Sequence, residues 1–210
     1  MGKCRKVAYE QAVSPVVGVM LMLVVTIIIA AVVSGFAGGM GSATKETPQA
    51  VIDVALKYEP ADPSMMIAAH WNMEFTLLSG NSIPTKDLAI ITYYTNSTGG
   101  VTKHEQTAAS NSTELYPTYP GNLARVPFLS DMRYGYAGNN PLVDFGNFTW
   151  KVRDIMCTNG DPGTAELLGI DDGAGGFLSE ADFGSGKVVE VKILHIPSGK
   201  YIYDKEVVVS

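Results

Sequence analysis

Cysteine is nearly absent from this chain: Cys4 and Cys157 are its whole complement. Cys4 sits in a short basic N-terminal segment, so a chain lacking that segment has no pair with which to form an internal disulfide. Stability then has to come from packing, and Cys157 reads as a small apolar residue. Histidine is scarce as well. His70, His104 and His195 are far apart and lack metal-ligand spacing, which predicts no metal site. There is no phosphate loop, no nucleophile elbow and no Cys/His pairing, so neither catalytic residues nor a cofactor are assigned. Basic charge is also in short supply, with 15 Lys and Arg against 21 Asp and Glu. A net-acidic balance argues against nucleic acid as a partner, because phosphates need a basic face.

What the chain does have is one long apolar run. Ala12 to Gly39 carries no charge, and the 21 residues from Pro15 to Gly35 make a helix of roughly 31 Å, the thickness of a bilayer's hydrocarbon core. Residues 1–12 hold Lys3, Arg5 and Lys6 against Glu10, a balance of +2; the remaining 12 basic and 20 acidic residues leave −8 downstream. Basic flanks stay in the cytoplasm, so the N-terminus is expected inside and the acidic remainder outside. Three N-x-S/T triplets, at Asn96, Asn111 and Asn147, all fall on that outer side and are candidate glycosylation sites.

The apolar run is longer than a secretory signal and does not end in an A-x-A-like site. Its start is better defined: Ser14 suits an N-cap and Pro15 the first helical position. With AVSPVVGVMLM followed by a β-branched and alanine-rich stretch, the segment from Glu10 to Gly39 resembles the N-terminus of archaeal type IV pilins. That resemblance implies a class III signal peptide, cut by a prepilin peptidase between Ala12 and Val13, with Gln11/Ala12 and Glu10/Gln11 as other possible junctions. It also implies a subunit held in the membrane before assembly, handled by a membrane platform, and self-associating into an extracellular surface filament for adhesion or cell–cell contact. Val17 stands where bacterial pilins carry a glutamate, which points to the archaeal branch. Val17, Val19, Leu21, Val24, Ile27, Ile28 and Ala31 are the expected filament-core positions. The competing reading is a monomeric, membrane-anchored binding protein.

Beyond Pro48 the period changes to two. Ile52, Val54, Leu56 and Tyr58 share one strand face, as do Trp71, Met73, Phe75 and Leu77, and Phe148, Trp150 and Val152; Leu88 to Tyr94 is apolar on both faces. Val188–Ile196 and Tyr201–Val209 flank Pro197-Ser198-Gly199-Lys200, a hairpin signal. No soluble helix is evident. The expected class is α+β: a basic leader at 1–12, a hydrophobic helix at 13–41, a linker at 42–50, and a mostly antiparallel β-sandwich at 51–210. Asn96 to Asn147 is expected to form surface loops around one or two short strands, with Tyr116, Tyr119, Tyr134 and Tyr136 packed on the sheet or, alternatively, exposed for adhesion. Asp161, Asp171, Asp172, Glu180 and Asp182 are read as a solvated acidic loop in preference to a calcium site.

Overall fold

The computed structural model of the chain describes residues 15–39, 46–61, 68–115, 121–170 and 183–210. It divides into two units, Met1–Thr44 and Lys45–Ser210. The first contains α1 (Pro15–Gly39), a helix of 25 residues.

The second unit is built from β1 (Ala50–Glu59), β2 (His70–Gly80), β3 (Ile83–Pro84), β4 (Leu88–Thr95), β5 (Val101–Gln106), β6 (Thr113–Glu114), β7 (Leu123–Ala124), β8 (Phe128–Leu129), β9 (Thr149–Trp150), β10 (Ile155–Cys157), α2 (Asp161–Leu168), β11 (Val188–His195) and β12 (Lys200–Val208). Two four-stranded sheets dominate, in the orders β1-β2-β10-β8 and β12-β11-β4-β5, with β3-β9 and β6-β7 as minor pairs. Every ladder is antiparallel. The exception to that direction is a single parallel bridge, Leu56 with Val209, which joins the two large sheets at one edge. There Tyr58 N–H donates to Ser210 O at 2.9 Å and Ser210 N–H to Leu56 O at 3.0 Å.

The alternation seen in the sequence is the reason for this arrangement. Ile52, Val54 and Leu56 are buried opposite Leu77, Phe75 and Met73 in the β1–β2 register. Val191 and Ile193 on β11 oppose Thr92 and Ile90 on β4, and all four are buried. Two strips of period-two apolar residues thus face a common interior, as in a sandwich. An aromatic chain crosses that interior: the Trp71 ring lies 5.1 Å from Phe183, edge-on, and Phe183 lies 5.6 Å from Tyr94. β4 is buried on both faces, as its composition predicts. Its outer-face Ile91 sits in register between Lys192 and Glu105, whose aliphatic stems shield it while the charges reach water.

The helix α2 corrects the expectation that the outer domain contains no helix. Pro162 is at its start, and Gly169 closes it in the left-handed conformation at φ 65°. The helix is stitched to both sheets. Trp71 N–H donates to Asp161 Oδ1 at 2.7 Å, Thr164 Oγ1 to Trp71 O at 3.0 Å, and Thr92 Oγ1 to Leu167 O at 2.7 Å. Gly163, a weak helix former, is required by contact: a Cβ there would lie 2.4 Å from Thr158 O. A second correction concerns Phe148-Trp150-Val152, where pairing lasts only over Thr149–Trp150. A turn follows at once, with Asp154 N–H bonded to Lys151 O and Arg153 at φ 74°. A third is the stretch from Asn96 to Asn147, which supplies the edge strand β5 and buries Val126, Phe128, Leu129, Val143 and Phe145 in the core.

Candidate assembly helix and surface sites

Helix α1 is apolar on every side. Valine, leucine, isoleucine and methionine occupy most of its length, and its described side chains, from Val16 to Gly35, are all exposed in the single chain. The large ones keep between 45% and 72% of their surface accessible. A helix apolar all round needs a surrounding that is apolar all round, either lipid or other helices. The segment Val16–Gly35 has the length and composition to cross a membrane. Its one mid-span polar side chain makes no demand on a partner, because Thr26 Oγ1 donates to Leu23 O one turn back at 2.9 Å. The positions expected in a filament core, Val17, Val19, Leu21, Val24, Ile27, Ile28 and Ala31, are all exposed, and all but Val19 fall within one face about 120° wide. Pro15 is the first residue of α1. Ala12, Val13 and Ser14 lie outside the described residues.

The three sequon asparagines differ in how they are held. In the β4–β5 connection, Asn96 Oδ1 accepts from Thr98 N–H, Thr98 Oγ1 and Gly100 N–H at 3.1, 2.8 and 2.7 Å. Those bonds engage the carbonyl and leave Nδ2, the atom a glycan is attached through, on the other limb of the amide. Asn147 is exposed, and its Nδ2 donates to Pro141 O at 2.9 Å. Asn111 is exposed. Arg125, a residue with no motif around it in the sequence, organises the neighbourhood of the last two. Its Nε donates to Ser110 O at 2.8 Å and its Nη1 to Phe145 O at 2.9 Å, so one guanidinium ties together the loops carrying Asn111 and Asn147. Asp144 accepts from Arg125 N–H, and burial raises its carboxyl above the ordinary range.

The histidines serve separate local contacts. His70 Nδ1 is 2.9 Å from Ala68 O, His104 Nε2 3.5 Å from Gln106 Oε1, and His195 Nδ1 2.8 Å from Ser198 Oγ in the β11–β12 turn. Among the described residues no group of three His, Cys, Asp or Glu side chains is placed to hold a metal ion. Of the acidic stretch, Asp161 is spent on Trp71 N–H at the start of α2; Asp171, Asp172, Glu180 and Asp182 lie outside the described residues. Cys157 is a free, buried cysteine, and burial pushes its thiol up to about 12. That is the behaviour of a packing residue, not of a nucleophile. Tyr134 and Tyr136 are exposed, which corrects the expectation that they pack on the sheet; Tyr116 and Tyr119 lie outside the described residues.

Comparison with known proteins adds one finding. Residues 11–52 match the family model for the archaeal type IV pilin, N-terminal. No curated protein and no solved structure matches the chain. An apolar helix exposed at every described position, with its Thr26 hydroxyl satisfied internally, therefore lies in a segment, residues 11–52, that is similar to the N-terminal domain of archaeal type IV pilins.

Proposed function

We propose that the chain is the structural subunit of an archaeal type IV pilus-like surface filament, assembled through α1 and displaying the β-unit for surface adhesion or cell–cell contact. The observation that carries this reading is the helix itself: every described side chain from Val16 to Gly35 is exposed, and the large ones are all apolar. A plain anchor needs only lipid around such a helix. The match to the pilin model over residues 11–52 favours a second use, in which the same surface packs against copies of itself and excludes water along a filament axis.

In this reading a prepilin peptidase removes residues 1–12, cutting between Ala12 and Val13, and the subunit waits in the membrane at the assembly platform until it joins the fibre. The chain is then a non-enzymatic protein of the cell membrane as precursor and of the extracellular filament when mature. Asn96, Asn111 and Asn147 are its proposed glycan attachment sites. Electron microscopy of fibres sheared from the native cell surface, with mass spectrometry of their subunit, tests the proposal. The expected subunit begins at Val13 or within two residues of it and carries excess mass on at least one sequon peptide. An intact Met1, or a start beyond Gly39, would sink the pilin reading; a bare mature mass would remove only the glycans.

A further inference from the structure

A cleft of about 520 Å³ opens beside β8, lined among others by Asn122, Ser130, Asp131, Met132, Tyr136 and Asn159. Its volume falls within the range of small-ligand sites, about 300–1,000 Å³. We infer that this cleft is a binding site for a neutral oligosaccharide, a reading that rests on the display of the β-unit proposed above.

The lining selects for that chemistry. Tyr136 stands at the rim with 75% of its surface exposed and Met132 beside it with 69%. An exposed aromatic face is the partner that suits the apolar C–H face of a pyranose ring, and a tyrosine brings large contact area at low entropic cost. Around it are the Asn122 amide and the Ser130 hydroxyl, which suit the equatorial hydroxyls of a sugar, each both donor and acceptor. Among the described residues no cationic side chain lines the cleft. Its one carboxylate, Asp131, is held by Arg133, with Nη2 at 2.6 Å, and that pairing lowers its pKa so that it stays a charged acceptor. Because Asp131 and Arg133 neutralise each other, the cleft offers no unpaired charge to an ionic polymer, and an apolar ligand would strand the Asn122 amide; a neutral glycan suits both conditions.

The aromatic is also held ready. Asn140 Nδ2 donates to Tyr134 O at 2.8 Å and to Tyr136 O at 3.1 Å, so a single amide fixes the backbone on both sides of Gly135. Asn139 N–H bonds Leu123 O at 2.7 Å and pins the same loop to β7. Gly138, at φ 101°, leaves the space into which the Asn122 side chain fits; a Cβ there would lie 1.8 Å from Asn122 Oδ1. A rigid rim loses little freedom on binding, which is how a small site gains affinity.

The test uses the full chain in phosphatidylcholine nanodiscs, titrated calorimetrically with cellotetraose, maltotetraose, chitotetraose and, as the anionic control, tetragalacturonate. At least one neutral tetrasaccharide is expected to bind with Kd of about 1 mM or tighter. Tyr136→Ala is expected to weaken it about tenfold, while Tyr136→Phe, which keeps the ring, stays within about threefold. Asn122→Ala should weaken it by about threefold or more. Both positions are outside the core, so circular dichroism should be unchanged. Failure of every neutral sugar, indifference to Tyr136→Ala, or equal binding of tetragalacturonate overturns the site. Loss of fibres in Tyr136→Ala cells would overturn it too, by making the patch a subunit contact. Sugar binding by a chain that never forms fibres would leave the site standing and remove only the filament reading.

Discussion

Ile28→Lys places a charge near the middle of α1 and separates anchoring from assembly. Residue 28 is seven positions from Gly35, roughly 10 Å along the helix from the nearer end of the span. Val16–Gly35 holds 12 valines, leucines and isoleucines. At about 0.3–0.6 kcal/mol each on the insertion scale they favour the membrane by about 4–7 kcal/mol. Lysine at the centre costs about 2.5–3.5 kcal/mol and one isoleucine is lost, leaving about 0–4 kcal/mol in favour of insertion. The variant therefore still enters the membrane, more weakly. In a fibre the sum comes out differently. Each subunit would bury an unpaired charge against its neighbours, at several kcal/mol per ion, and the defect repeats along the whole fibre. The β-unit does not contain residue 28 and should fold as before. Membrane fractionation, electron microscopy of the cell surface and circular dichroism read the three quantities. The expected outcome is retained membrane protein, folded domain and absent fibres, with Ile28→Leu indistinguishable from wild type. Fibres of Ile28→Lys subunits at wild-type abundance would refute the reasoning.

Three further predictions concern the β-unit. A fragment of residues 46–210 should be soluble, monomeric and rich in β-structure by light scattering and circular dichroism, since its core uses no residue of α1. Thr158→Val should lower the thermal midpoint by several degrees, because the hydroxyl it removes accepts from the buried Met73 N–H at 2.9 Å and touches Thr164 Oγ1 at 2.7 Å; an orphaned buried donor costs about 1–3 kcal/mol, and each kcal/mol moves the midpoint of a domain this size about 2–4 °C. Cys157 should resist alkylation at pH 8 until the domain unfolds. Its folded value is raised from 9.0 to about 12, so the protonated thiol belongs to the folded state, and the stability it contributes is complete below pH 9 and is lost as pH climbs toward 12. Rapid labelling of folded protein, or a stability profile flat from pH 9 to 12, would contradict the buried assignment.

How much of this could be read beforehand depended on segment length. α1 announces itself because an uncharged run of that length has few other physical meanings. β1, β2, β4, β11 and β12 are eight residues or longer, enough for a two-residue period to emerge, and Ser198-Gly199 marks the turn between the last two. Ile155–Cys157 and the two-residue strands offer no period to detect; long-range partners such as Thr76 and Phe75 create them. α2 is hidden for a related reason. Eight residues containing Pro162 and Gly163 have poor intrinsic propensity, and the helix forms because Thr158, just past β10, and Trp71 and Thr92, on β2 and β4, supply its partners. The Pro162-to-Gly169 spacing was its only local mark. Tyr58 shows the limit of alternation: it is in phase with Leu56 yet 49% exposed, near the end of β1.

The two units solve opposite problems. The β-unit is tied together from within: α2 returns its hydrogen bonds to β2 and β4, and the two sheets share an edge through Leu56 and Ser210. α1 closes only its backbone and the Thr26 hydroxyl, and leaves its entire apolar surface open. With the Thr26 hydroxyl already donating to Leu23 O in the mid-span, fit between neighbouring helices would come chiefly from shape. The shape is supplied by small residues, Gly18 near the start and Ala30, Ala31, Ser34 and Gly35 toward the end, separated by the bulky run from Met20 to Ile29. A Cβ added at Gly18 or Gly35 meets nothing within 4 Å inside the chain, so neither glycine is explained by packing within the chain itself. In the proposed filament both glycines would have a use, since helices approach closely at small residues.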